Sequence, residues 1–109
     1  MNWQAMSFDW NQMRAFLATA EEGSFSAAAR VLRTTQPTIG RQIAALEASL
    51  GVTLVERSAR GLALTQAGRD VLEHVLAMGE AATLISMAAA RDSQDLTGEV
   101  TITASDLMA

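Results

Sequence analysis

A mainly α fold, in which three helices and a two-stranded hairpin run into one long helix, is predicted by three observations. Two apolar-patterned stretches between Ser24 and Leu50 carry helical spacing and are parted only by Arg33-Thr34-Thr35. Two short strand-like runs then flank Arg57-Ser58-Ala59-Arg60. From Thr65 a helical pattern continues to about Ala90.

Residues 1–8 show no clear period and are read as an N-terminal extension, with Met6 as good a natural start as Met1. Asp9 to Gly23 reads as the first helix. Asp9 suits the N-cap, Gln12 stands three residues on as in a capping box, and Gly23 suits the C′ position. Met13, Phe16, Leu17 and Ala20 follow helical spacing and are expected to face a core; Trp10 is expected to pack as well. Ser24 then caps a short Ala-rich helix ending at Leu32. Gln36-Pro37-Thr38-Ile39 opens the next helix, because the first helical positions have no N–H bond for proline to lose.

That next helix runs from about Gln36 to Leu50, with Gly51 stopping it. Ile39, Ile43, Leu46 and Leu50 are spaced four, three and four, one buried stripe. Gln36, Thr38, Arg41 and Gln42 lie mostly off it. Two helices joined by so short a turn make a helix-turn-helix, the shape that lets one helix enter a DNA major groove. Glutamine can pair with adenine and arginine with guanine, while threonine offers a hydroxyl and a methyl. Any surface helix carries polar residues, so this pattern alone is weak.

Val52-Thr53-Leu54-Val55-Glu56 and Gly61-Leu62-Ala63-Leu64-Thr65 are read as a hairpin whose tip carries Arg57, Arg60 and Gly61, the wing of a winged helix-turn-helix over residues 9–65. Arg60 is expected to reach a phosphate or a narrow minor groove. For Arg57 two readings stay open: contact with DNA, or bracing of the helices through hydrogen bonds.

Thr65 is the expected N-cap of a linker helix over residues 66–91, about 26 residues or ~39 Å long at 1.5 Å per residue. Val71, Val75, Met78, Ala82, Ile85 and Ala89 are spaced as a heptad seam. A second stripe, Leu72 and Leu76, is expected to pack against the domain. One helix beside a small domain cannot bury both stripes, so a homodimer through the linker helix is expected. Residues 92–109 are read as a polar hinge, Asp92 to Asp95, and a strand with alternating Val100, Ile102 and Ala104 that has no partner in this chain. The expectation is a fragment, or a gene that lost its second half.

Composition narrows the function classes. The chain has 109 residues, half of them apolar, with no cysteine and one histidine, so no disulfide framework and neither a thiolate nor a histidine metal site is expected. No cofactor is expected either. No signal peptide is readable. The most apolar region, Val75 to Ala90, is interrupted by Glu80 and is expected to fall short of a membrane span, so a cytoplasmic, non-membrane protein is expected. The acids are scattered, no Ser/His/Asp set or glycine-rich phosphate loop is present, and His74 reads as a solvated helix residue; no enzyme is expected.

The net charge of −4 hides an asymmetry. Ser24 to Arg69 holds six arginines (30, 33, 41, 57, 60, 69) against Glu47 and Glu56, a net of +4, while the remainder holds two arginines and ten acids, −8. This suggests a basic face on an acidic body.

The chain resembles the N-terminal region of LysR-type transcriptional regulators over about Asp9 to Arg91. The resemblance is carried by Met13-x-x-Phe16, Gly23-Ser24-Phe25-Ser26-x-Ala28-Ala29-x-x-Leu32 and Gln36-Pro37-x-Ile39. It continues through Gln42-Ile43-x-x-Leu46-Glu47-x-x-Leu50-Gly51, Leu54-x-x-Arg57, Arg60 and Leu64-Thr65-x-Ala67-Gly68. It implies a winged helix-turn-helix, a dimerising linker helix and then a ligand-sensing domain. Carried over by position, it implies DNA contacts by Thr35, Gln36, Pro37, Thr38, Arg41 and Arg60. Two residues depart from the family pattern: Gly40 stands where serine is usual, removing a hydroxyl, and Val55 where phenylalanine is usual.

The expected function is sequence-specific binding of double-stranded DNA at an inverted repeat by a homodimer, in transcription regulation. A small-molecule effector is expected only for a C-terminal domain beyond this chain. The alternative is an interaction module that pairs with full-length regulators and traps them without binding DNA itself.

Overall fold

A computed structural model of the chain describes residues 1–100, with side chains through Ser93. After a 3-10 turn over Trp3–Met6, the elements are α1 (Trp10–Glu22), α2 (Phe25–Leu32), α3 (Gln36–Leu50), β1 (Val55–Ser58), β2 (Gly61–Leu64) and α4 (Gln66–Val100). Residues Met1–Leu76 form one compact unit, and the described residues from Ala77 a second.

Side chains set the helix ends. Asp9 accepts from the Gln12 amide while the Gln12 side chain accepts from the Asp9 amide, a complete capping box. Ser24 caps α2 by accepting from the Ala27 amide at 3.1 Å. Gly23 and Gly51 end α1 and α3 in the left-handed region. Arg33 ends α2 in that same region, at φ 57°, where a non-glycine residue is uncommon.

α1, α2 and α3 pack pairwise around Met13, Phe16, Ala28, Ile39, Ile43 and Leu46. Fully burying a side chain such as Phe16 or Ile39 contributes about 1.5–3 kcal/mol. Ala15, Ala18 and Thr19 are buried too, where Leu17 and Ala20 were expected; those two are only half-buried. Small residues on α1 let the neighbouring helices approach. Thr19 carries the one buried side-chain polar atom without a partner among the described residues, a cost the core carries.

Trp10, expected to pack, is 41 % exposed. It lies in the first turn of α1, and the buried set on that helix begins only at Met13.

The hairpin is shorter and shifted relative to expectation. β1 and β2 pair antiparallel with Val55 opposite Leu64 and Ser58 opposite Gly61, leaving a two-residue turn of Ala59 and Arg60. Val52 to Leu54 lie outside the ladder. The cause is Glu47, whose carboxylate accepts from the Leu54 amide at 2.8 Å and the Val55 amide at 3.3 Å. At the other end the two-residue turn leaves Arg57 within β1 opposite Leu62, not at the tip.

Thr65 joins the wing to α4. Its hydroxyl accepts from the Gly68 amide at 2.9 Å, as a cap, and donates to the Thr53 carbonyl at 2.6 Å. Gly68 is buried against the Leu54 carbonyl, and a Cβ there would overlap that oxygen.

α4 departs from expectation in three ways. It continues past Arg91 through Asp92–Asp95, where a hinge was expected, to Val100. None of those four residues is a helix breaker of the glycine or proline kind. From Thr101 the expected strand lies outside the described residues. Second, Val75, assigned to the dimer seam, is buried in the core of its own domain at 4 % exposed, and Val71, of the same seam, is half-buried against that core beside Leu72. Leu76, expected to pack there, is an exposed residue instead. Third, Gln66–Ser93 includes a window of mean hydropathy 1.3 and is, by length and composition alone, long and apolar enough to cross a membrane. The alanines raise its hydropathy despite Glu80, but Val71, Leu72 and Val75 are committed to the domain core.

Candidate nucleic-acid interface

The polar residues singled out on the third helix are brought together on its first two turns. Thr35 is the N-cap, in extended backbone, and accepts from the Thr38 amide at 3.3 Å. Gln36 and Pro37 follow in the first turn, both exposed. Arg41 is exposed, while Thr38 and Gln42 are half-buried. Ile39, Ile43 and Leu46 anchor the opposite side in the core, so the polar side is held by a rigid element rather than by a loop.

These side chains are linked. The Thr35 hydroxyl donates to Thr38 Oγ1 at 2.8 Å, and Arg41 Nη2 donates to the same oxygen at 3.2 Å. The capping role of Thr35 was not read from the sequence, although a threonine directly before a proline-bearing first turn is a start signal. Beside them a shallow groove of about 310 Å³ is lined by Asp9, Asn11, Gln12, Thr38, Arg41 and Gln42, with Ala45.

The wing contributes a second cleft, about 170 Å³, lined by Ser24, Phe25, Ser26, Gln36, Arg57, Gly61 and Leu62. It brings Arg57 and Gln36 to one place despite their separation in sequence. Arg60 stands apart in the hairpin turn, its amide donating to Ser58 Oγ at 3.3 Å. Arg69 was counted only as charge; its guanidinium donates to the Leu64 carbonyl at 3.1 Å and to Gln66 at 2.9 Å, bracing the wing on α4. All six arginines of the basic segment are exposed, so their charge is available to a polyanion. Of the two acids there, Glu47 is occupied by the wing amides.

Gly40 lies inside this helix beside Phe25. A Cβ would meet the Phe25 ring at 3.6 and 3.8 Å, ordinary van der Waals contact. Nothing in the packing requires glycine. Gly40→Ala is therefore expected to raise stability by about 0.5–1 kcal/mol, the helix-interior penalty of glycine, read as a higher urea midpoint at unchanged slope. A lower midpoint would mean that the ring cannot accept the contact.

On the second unit, the remaining seam positions Met78, Ala82, Ile85 and Ala89 share one side of the helix by their spacing. Met78 and Ile85 are 39 % and 69 % exposed, and Leu84 and Met87 are exposed beside them.

A family model for bacterial regulatory helix-turn-helix proteins of the lysR family matches residues 10–69. The HTH-type transcriptional regulator TfdS of Cupriavidus pinatubonensis is 50 % identical over 86 residues, 76 % of this chain and 29 % of that protein. The chain thus spans less than a third of that relative. The crystal structure of the CbnR DNA-binding domain in complex with DNA superposes with a TM-score of 0.62 at 46 % identity, covering 75 % of this chain and 98 % of that one. The BenM DNA-binding domain in complex with catB site 1 DNA gives 0.69 at 32 % identity, covering 78 % and 97 %. With the capped helices, α3 and the wing all inside these matches, the chain belongs to the LysR family of bacterial regulatory helix-turn-helix proteins.

Proposed function

We propose that this chain is the DNA-binding part of a cytoplasmic transcription regulator and binds double-stranded DNA sequence-specifically as a homodimer. The observation that carries the reading is the near-complete coverage of two DNA-bound domains by a segment whose polar helix face and arginine-bearing wing are both exposed. Gln36, Thr38, Arg41 and Gln42 face base edges or neighbouring phosphates, with Thr35 and Pro37 at the helix start. Arg57 and Arg60 meet the backbone or minor groove from the wing. Two copies present two such helices to an inverted repeat, joined through Met78, Ala82, Ile85 and Ala89 of α4. The seam begins at Val71, half-buried against the domain, and Val75, which the domain core itself buries. Any small-molecule effector belongs to a C-terminal domain beyond this chain, and no catalytic role is proposed.

Fluorescence anisotropy against the DNA upstream of its own gene and a scrambled duplex, across a salt series, tests the reading. Tight binding that prefers the upstream DNA and falls with salt is expected. Arg41→Ala is expected to weaken specific binding by ~1–3 kcal/mol, and random-duplex binding less. If a folded dimer binds neither duplex, the interaction-module reading takes over.

A further inference from the structure

α3 starts with three linked side chains that decide which hydrogen-bonding groups it can present outward. Thr35 Oγ1 accepts from the Thr38 amide at 3.3 Å and spends its own hydrogen on Thr38 Oγ1 at 2.8 Å. Thr38 Oγ1 accepts a second hydrogen from Arg41 Nη2 at 3.2 Å. A hydroxyl has one hydrogen and two acceptor positions. Both acceptor positions of Thr38 are filled, so its hydrogen is the polar group left to offer. Arg41 has donors only. Threonine by itself can give or take a hydrogen bond at a base edge; here the chain removes that choice.

We propose that Thr35 is a positioning residue for specificity: by donating to Thr38, it makes Thr38 and Arg41 a donor-only pair that selects adjacent base acceptors. The inference rests on the DNA-binding reading above. In the major groove guanine presents two acceptors, N7 and O6, whereas adenine sets an amino group beside its N7 and cytosine presents an amino group. A donor-only pair meets guanine without conflict. Against an amino group it leaves donors facing donors in a desolvated groove, which costs binding. The effect of Thr35 runs through Thr38 and needs no base contact of its own.

The test uses the whole 109-residue chain and a pool of duplexes with a randomised core. After selection, each guanine of the chosen half-site is replaced in turn by 7-deazaguanine, which keeps base pairing and removes N7. At the guanine facing Thr38 and Arg41, the parent is expected to bind the deaza duplex about 10-fold more weakly. Thr35→Ser keeps that sensitivity. Thr38→Val loses it, whatever its overall affinity, whereas Thr35→Val relaxes the preference for guanine over adenine at that position, because the freed Thr38 hydroxyl can then also accept from an amino group. Thr38→Val keeps the Thr35 cap, so its result does not depend on a helix end weakened by Thr35→Val. Sensitivity to one base atom is a readout that mere loosening of the helix does not move selectively. If Thr35→Val retains the parent's preference for guanine over adenine at that position, or if the position altered by Thr38→Val selects an amino group, the proposal is overturned. If the parent selects no sequence at all, it is the DNA-binding reading that falls, an outcome distinct from both.

Discussion

Gly68→Ala is expected to destabilise the domain by about 3 kcal/mol, the upper end of what one added methyl costs in a packed site. A Cβ at Gly68 would collide with the Leu54 carbonyl oxygen, and that oxygen cannot easily retreat. It accepts from the Thr65 amide at 3.0 Å, and Leu54 itself is completely buried. Relief requires lifting the first turn of α4 from the wing, which also breaks the Thr65 bonds to Thr53 and Gly68. In thermal unfolding this corresponds to a drop in Tm on the order of 15 °C for a domain of this size. An unchanged Tm would show that α4 does not start against Leu54.

Glu47→Ala is expected to cost about 1–3 kcal/mol, because it strands the amides of Leu54 and Val55. An acid in the last turn of a helix is unfavourable toward the helix dipole. Removing it should be mildly stabilising if it did nothing else, so the sign of the change is diagnostic. Amide hydrogen exchange should rise at Leu54 and Val55 and along the hairpin, but not in α1. Glu47→Gln, which keeps an acceptor, should fall between the two. Faster exchange with no loss of stability would mean that water replaces the carboxylate.

Gly68 and Glu47 also mark the reach of local sequence patterns. Caps are written within four residues, so Asp9, Ser24 and Thr65 are legible in the sequence alone, as are Gly23 and Gly51. The buried stripe of the third helix is legible for the same reason. Glu47 reaches seven residues ahead across a turn, and nothing in the spacing announces that. By sequence it counts as a motif residue and as a charge diluting a basic segment, with no partner named. Because it claims the Leu54 amide, the ladder starts later than the apolar run suggests; Arg57 falls within a strand because the turn is only Ala59 and Arg60. Trp10 and Leu76 depart for another reason. Each continues a helical period that is correctly read, but a period says nothing of where the partner surface ends. The candidate site follows the same division: its residue types are visible along α3, while the Thr35–Thr38–Arg41 linkage and the meeting of Arg57 with Gln36 require three dimensions.

The packing of Val71, Leu72 and Val75 against the domain core has a practical consequence for anyone transplanting this module. The family match closes at residue 69, yet the apolar core reaches Val75. A graft cut at the match boundary would leave an open socket where these three side chains belong, and would aggregate through it. The smallest portable piece ends after Leu76, where the first compact unit ends; a fusion partner is best joined there or farther along α4.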